Sequence, residues 1–573
     1  MQRHRRSPNS ILFPVRAAAW GALACTALAG GCRTPETPAG ASTPVPTPAA
    51  TATSARFREV AKEAGLSYKW EVVGKRPLNI LQTIGNGCAF LDYDGDGNLD
   101  ILLVGTHPAL FKGDGKGKFT DVSAQTGVGK LAGHYLGCAV GDYDGDGRPD
   151  VYLSAYRGGT LLRNDGGKGF ADVTAASGMK PQLWGTSCGW ADLDGDGKLD
   201  LYVANYADFG PKTVPQMCKF GTESHGDVLS SCGPRYYKGI KGVAFHNLGG
   251  GKFADATQAW GMTTHTGRGL GVAFADADGD GKPSLAVTND EAAGDLFSPS
   301  GKTFENIGAA SGVAYDRDGK VHGGMGTDWG DYNNDGRLDL FVATFRNEAK
   351  SLYRNDGSRS FTDVSYPTGV GRAALPYVSF GTKFFDADND GWLDLILASG
   401  HVQDNIKIIE NTDYPQKTVF LRNENGNFAD VSDASGVGAL PPIVGRGLAT
   451  GDYDNDGRVD VLVVDSEGSP LLLHNETSIP SGAPNWVGFA CKTKTGSDAL
   501  GAVLTLETDG KPGKLVRQCQ TAGSYLSASD ARVHFGLGQL ATKIKRLTIR
   551  WPSGKTETVE NIDAGHYHTL REK

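Results

Sequence analysis

Seven stretches of this 573-residue chain set oxygen-bearing side chains at fixed offsets in the pattern D-x-D-x-D-G-x-x-D. The first comprises Asp92, Asp94, Asp96 and Asp100. The pattern returns at Asp142, Asp144, Asp146 and Asp150, then at Asp192, Asp194, Asp196 and Asp200. It returns again at Asp276, Asp278 and Asp280, and at Asp331, Asn333, Asp335 and Asp339. The last two copies are Asp386, Asp388, Asp390 and Asp394, and Asp452, Asp454, Asp456 and Asp460. A hard cation such as calcium takes several oxygen ligands at about 2.3–2.6 Å, and alternate residues of a curled loop can aim at one point. Position 7 can add a backbone carbonyl, and the glycine at position 6, Gly97 in the first copy, permits the sharp turn. Up to seven calcium ions are therefore expected. Ser284 replaces the last Asp of the fourth copy and Asn333 the second Asp of the fifth, so these two should bind more weakly. Without metal each cluster repels itself, so the ion should stabilise the fold.

The elements that must position these carboxylates are strands. The helix-loop-helix calcium site ends in a Glu at position 12, whereas here β-type runs such as Asp150-Val-Tyr-Leu and Asp460-Val-Leu-Val follow the loop. One Asp- and Gly-rich stretch is explained as a polar turn; seven with the same offsets are not. Successive motifs begin 50, 50, 84, 55, 55 and 66 residues apart, a period proper to four-stranded propeller blades. Between them lie second hairpins turning at Asn and Gly, as in Leu161 to Val173, Leu352 to Val364 and Phe420 to Val431. Phe57-Arg-Glu-Val resembles the second arm of such a hairpin without its first, and Leu471-Leu-Leu-His-Asn a first arm without its second. The expected fold is all-β: a seven-bladed β-propeller over residues 55–484 closed by the N-terminal strand, then a small C-terminal β-domain over 485–573.

The 84-residue gap holds an insertion, residues 206–241, in which Cys218 and Cys232 are the best disulfide pair. Cys491 and Cys519 are a plausible second pair. Cys88, Cys138 and Cys188 align with Val272, Thr327, Thr382 and Leu448 in later repeats, which suits small buried wall residues. Strand alternation sends the acidic tips to one face and collects His107, His134, His265, His322, His401 and Arg446 on the other, with Trp184, Tyr206, Arg268, Arg346 and Tyr377. These residues are candidates for a small-molecule or metal site at a channel mouth, with His401 as a general base. The plainer reading is that loop residues are polar, and no H-x-H or H-E-x-x-H spacing appears. Trp551, Tyr525 and Tyr567 suit core and edge packing better than a carbohydrate or protein surface.

The net charge of −8 is modest and much of the acidity belongs to the loops, which leaves no nucleic-acid footprint. Residues 1–31 carry Arg3, Arg5, Arg6 and Arg16 before an apolar Ala17–Leu28 run too short to span a bilayer, and read as an export signal. Ala29-Gly30-Gly31-Cys32 resembles the bacterial lipoprotein box, with Cys32 as the lipidated residue; the alternative is an ordinary signal peptide. Residues 32–54, rich in Pro, Thr and Ala, read as a tether. By the same resemblance, Arg33 after that Cys favours an outer-membrane or cell-surface lipoprotein, against a periplasmic or secreted form.

The repeats resemble the FG-GAP/VCBS type of integrin α-subunit propellers, and the resemblance implies calcium in these loops. The closing region, with Gly501-Ala-Val, Gly523-Ser-Tyr-Leu, His534-Phe-Gly-Leu-Gly and Ile549-Arg-Trp-Pro-Ser-Gly, is similar to the ASPIC/UnbV module. That module follows FG-GAP repeats in proteins of the cartilage acidic protein kind. Cys232-Gly-Pro and Gly400-His401-Val fit the same family. The expected function is an exported, lipid-anchored calcium-binding scaffold for an extracellular protein, glycan or matrix partner. The alternatives are an enzyme at the His-rich mouth and a purely structural envelope component; no nucleophile with a base at recognisable spacing favours an enzyme.

Overall fold

The structure is a computed structural model and describes residues 55–222, 224–263, 267–478, 485–510, 512–538 and 544–573. The export signal, Cys32 and the tether lie outside the described residues. Each acidic loop joins two antiparallel strands, and a second hairpin adds two more. The first such sheet runs Cys88–Leu91, Asp100–Leu103, Ala109–Gly113 and Phe119–Asp121, paired in that order. The fourth, fifth and sixth sheets repeat the plan, opening with Gly269–Ala275, Thr327–Gly330 and Ser379–Phe385.

The second and third sheets open with Tyr135–Gly141 and Gln182–Ala191. They merge into one eight-stranded sheet through Gln182 opposite Gly158 and Trp184 opposite Tyr156. In the seventh sheet, Gly445–Gly451, Asp460–Asp465 and Leu471–Asn475 are completed by Phe57–Glu59, with Phe57 opposite Asn475. The strands form where runs such as Ile101–Val104 and Leu395–Ala398 are wholly buried. After most outer strands a single helical turn ends on a left-handed glycine, for example Ser123–Thr126 before Gly127 at φ 82°, a conformation that a Cβ would strain.

The C-terminal region forms a three-stranded sheet of Val533–Gly536, Trp486–Lys492 and Tyr567–Arg571. Beside it lies a four-stranded sheet of Lys514–Gln518, Val503–Thr508, Ile544–Arg550 and Thr556–Val559. This region is not an independent appendage: Phe489, Leu504 and Trp551 share a core with Tyr143, Trp190 and Phe253 of the repeats. Its segment from Gln518 to Ser529 bonds to the first strand of all seven sheets. Ser527 Oγ accepts from Cys88 N at 3.2 Å, Thr521 Oγ1 donates to Val140 O at 2.7 Å, and Leu526 N donates to Ser187 Oγ at 2.9 Å. Gln518 Nε2 reaches Phe274 O at 3.3 Å, and Ser524 N reaches Thr327 O at 2.6 Å. Thr382 N donates to Ser524 Oγ, and Thr450 N to Ser529 Oγ, each at 3.1 Å. A Cβ at Gly87 would stand 1.8 Å from Leu526 O, so only glycine admits the segment there.

Candidate metal centres and the opposite face

Each acidic loop is built from its own carboxylates. In the first, Asp92 Oδ1 accepts from Gly95 N at 2.8 Å and Asp96 N at 3.1 Å, while Oδ2 accepts from Gly97 N at 2.9 Å. Asp96 Oδ1 accepts from Asn98 N, and Asp100 takes Tyr93 N on one oxygen and Gly113 N on the other, all at 2.9 Å. The position-6 glycines all have positive φ, from 83° at Gly457 to 92° at Gly336. Position 4 does too, and it is always Gly or Asn: Gly95, Gly145, Gly195, Gly279, Asn334, Asn389 and Asn455. Asp92, Asp94 and Asp96 offer oxygens within 4.8 Å of one another, as do Asp142, Asp144 and Asp146, and Asp192, Asp194 and Asp196. An oxygen-only donor set this tight suits a hard cation. Burial first, then the neighbouring carboxylates, pushes Asp100 and Asp150 up to about 8. Asp94 Oδ1 and Asp454 Oδ1 are buried without a hydrogen-bond partner.

The fourth loop differs beyond its Ser284. Arg550 of the C-terminal region pairs with Asp276 and donates to Gly279 O at 2.9 Å, while Arg359 Nε stands 2.9 Å from Asp278. Basic side chains meet other loops too, as Lys112 pairs with Asp94 and Asp96, and Arg422 with Asp388 and Asp390; what sets the fourth apart is that Arg550 comes from the C-terminal region. In the fifth loop Asn333 Nδ2 donates to Asp335 at 3.2 Å.

Two contributions at these loops were not foreseen. The Asn of the second hairpin closes the turn, Asn423 Oδ1 accepting from Gly426 N at 2.8 Å, and is also a buried tie between sheets: its Nδ2 donates to Tyr332 O of the preceding loop at 2.8 Å and to Leu393 O at 2.9 Å. Asn164, Asn247, Asn355 and Asn475 do the same to Tyr93, Tyr143, Ala277 and Ala387. The residue before that Asn reaches toward the loop as His246 Nδ1, 3.1 Å from Asp200, and His474 Nδ1, 3.2 Å from Asp460. Equivalent positions carry Arg163, Arg354 and Arg422 before an Asn and Lys112 before Gly113, so a basic residue at this offset was the available signal.

On the opposite face the candidate imidazoles meet separate neighbours. His107 is exposed and bonded to Thr106, and His134 lies against Tyr156 with ring centroids 5.8 Å apart. His322 Nε2 is 3.2 Å from Tyr353 Oη, and His401 Nδ1 accepts from Gln403 N at 3.1 Å. Burial pulls His322 down to about 4 and His401 to about 3, so both are neutral. His265 lies outside the described residues. Arg446 is a fully buried clamp: its guanidinium donates to Thr83 O, Gly400 O, Gly445 O and His401 O and stacks 4.0 Å from the centre of the Phe380 ring. It is therefore not free to meet a ligand. Trp184 is likewise buried, edge-on to Tyr206.

The insertion carries a hairpin of Cys218–Thr222 and Gly226–Ser230, and Cys218 is bonded to Cys232. Cys491 and Cys519, expected as a second pair, are free buried thiols, and Cys88, Cys138 and Cys188 are buried wall residues. Burial pushes the Cys88 and Cys188 thiols up to about 12. The insertion reaches the loop after the sixth sheet's second strand: Gln403 Nε2 donates to Ser231 O at 3.1 Å and Asn405 Nδ2 to Leu229 O at 2.8 Å. Among the described residues no helix is long and apolar enough to cross a membrane.

Repeated acidic hairpin loops joined to a C-terminal β-region define the class. Residues 92–153, 142–203, 331–397 and 386–463 match the FG-GAP-like repeat, and residues 492–573 match the ASPIC and UnbV domain. The chain is an FG-GAP-repeat protein with a C-terminal ASPIC/UnbV domain. It is similar to cartilage acidic protein 1 of Homo sapiens, at 25% identity over 288 residues covering 50% of this chain and 40% of that protein. Its similarity to the Xenopus tropicalis protein is 24% over 277 residues, covering 47% and 39%. The match thus spans about two fifths of the length of these relatives. Solved structures with some likeness include an Agrocybe aegerita lectin that recognises non-reducing terminal N-acetylglucosamine, with TM-score 0.36, 16% identity and coverage of 69% of this chain and 96% of that one. Another is BBS1N in complex with ARL6DN, with TM-score 0.35, 11% identity and coverage of 72% and 99%.

Proposed function

We propose that this chain is an exported, calcium-binding scaffold whose seven sheets are the blades of one closed propeller. The observation that carries closure is the segment from Gln518 to Ser529, because twelve consecutive residues can bond to seven first strands only if those strands surround it. Pairing of Phe57–Glu59 with Leu471–Asn475 supplies the closing strand. Calcium fits the oxygen-rich loops, which His246 joins at the third and His474 at the seventh; the fourth, with Ser284 at position 9 and Arg550 on Asp276, is the weakest site, and the fifth is next. Residues 1–54 supply the export signal, a lipid at Cys32 and the tether.

Binding, rather than catalysis, is the reading best supported, since the described imidazoles among the candidates have separate partners. Similarity to cartilage acidic protein 1 agrees with a matrix- or surface-associated adhesion role. The opposite face, with its disulfide-clipped insertion, contacts the extracellular protein, glycan or matrix partner. The test replaces the hairpin between Cys218 and Cys232 with a short Gly/Ser loop and measures association of the protein with cells and matrix. Loss of association with an unchanged melting temperature is expected; unchanged association would leave only a structural envelope role.

A further inference from the structure

Beneath the insertion lies a cavity of about 180 Å³ to which elements far apart in sequence contribute. Phe220 and Cys232 come from the clipped hairpin, Ile80 from the N-terminal segment, Met325 and Phe345 from the fifth sheet's connections, and Phe380 from the sixth sheet. These walls are aromatic and aliphatic. The charged residues among the cavity's lining are all carboxylates: Asp290, Glu291 and Glu348. Asp290 is 7% exposed, and its Oδ2 accepts from the Tyr206 hydroxyl at 2.5 Å. Glu348 Oε2 accepts from Gly323 N at 2.9 Å and Phe345 N at 3.2 Å, and Glu291 Oε2 pairs with Arg235 of the insertion at 2.8 Å. Glu291 holds φ at 49°, a strained backbone of the kind found where a side chain is aimed for a purpose.

We propose that this cavity binds an organic ammonium ion, its charge against Asp290 and Glu348 and its alkyl groups against Phe220, Phe345 and Met325. An apolar enclosure with carboxylates complements a cation that carries its own apolar surface, and aromatic faces add attraction for such ions. A small inorganic cation would leave those walls unused; a neutral apolar ligand would leave the carboxylate edge unused, where Arg235 already answers Glu291 and Arg268 lies near Asp290. The ammonium can arrive free or as the side chain of a partner's lysine. The inference deepens the assignment of this face as the recognition face. It does not depend on calcium in the loops.

Asp290 sits among Tyr206, Arg268, Glu291 and Glu348, and burial first, with the two glutamates, pushes it up to about 7. A bound cation favours its charged form, so binding releases a proton and tightens as pH rises through that value.

The experiment titrates the full-length chain in millimolar calcium with choline, with n-butylammonium and with the neutral choline isostere 3,3-dimethylbutan-1-ol, followed by calorimetry. Expected are one ammonium ion per chain, binding at least about tenfold weaker for the isostere, and a loss of about tenfold in Asp290→Asn, each tenfold being about 1.4 kcal/mol. Affinity should fall between about pH 8 and about pH 5.5. Should Asp290→Asn not fold, Phe220→Ala, which alters only the roof, and Glu348→Gln carry the test with the same expected weakening. A blocked lysine peptide binding more tightly than both free ions would assign the source to a partner side chain; binding of the free ions alone would assign it to a small molecule. Absence of binding by both ions and the peptide at about pH 8, equal binding of the isostere, or indifference to these substitutions would overturn the proposal. Continued association with cells or matrix in that case would reject the cavity while leaving the scaffold reading intact.

Discussion

Asp100 and Asp150 show what burying a carboxylate at an acidic loop costs. Both are raised to about 8, chiefly by burial, so the metal-free fold favours their protonated forms. The associated stability is fully present below an unfolded carboxylate pKa of about 4 and is lost as pH rises toward the folded value. Calcium should therefore raise the melting temperature more at about pH 8 than at about pH 5.5; equal rises would contradict this account of the loops. Asn423→Ala strips two donors from the buried carbonyls of Tyr332 and Leu393 and should cost about 1–3 kcal/mol in urea unfolding. A cost within error of zero would show that the tie is dispensable. The carboxylates were legible because their offsets repeat. The Asn ties were not, because Asn beside Gly is equally the signature of a tight hairpin turn. The glycine or asparagine at position 4 could have been read, since a loop needing positive φ admits few other residues.

At the scale of elements, strand, loop and second hairpin followed from apolar runs bounded by turn residues, and the pairing of Phe57 with Asn475 matches the expectation from the two half-hairpins. The merging of the second and third sheets was not readable, because the strands that pair Trp184 with Tyr156 end at Gly158-Gly159 and begin after Pro181, residues that read as stops. The expected Cys491–Cys519 bond failed for a related reason: spacing says nothing about whether two inward-facing thiols pair. All five described free cysteines are buried, so native protein should resist alkylation and react fully only on denaturation. Rapid labelling of Cys491 or Cys519 in the native state would contradict their placement. Replacing Cys218 and Cys232 with Ser removes a short cross-link whose chain-entropy contribution is about 3 kcal/mol. Amide exchange should then accelerate across residues 206–241 while the first strands of the sheets keep their protection.

For the whole molecule, the C-terminal module was expected beside the propeller, and instead its Gln518–Ser529 segment lies among all seven first strands. That role was hidden because the segment is small and polar and reads as a loop; only the companion Tyr525 and Leu526, both wholly buried, hint at it. A chain ending at Ser478 should lose cooperative unfolding and expose the Trp190 face, visible as a broadened transition and increased dye binding. A truncated chain melting like the full one would contradict the shared core. The proposed role of metal in the acidic loops is to hold this architecture together. Its most direct test is calorimetric unfolding of the chain from Ala55 to Lys573, metal-free and in millimolar calcium, with bound metal counted by elemental analysis. A large upward shift in melting temperature with several calcium ions per chain is expected; no shift and no retained calcium would show that the loops are not metal sites.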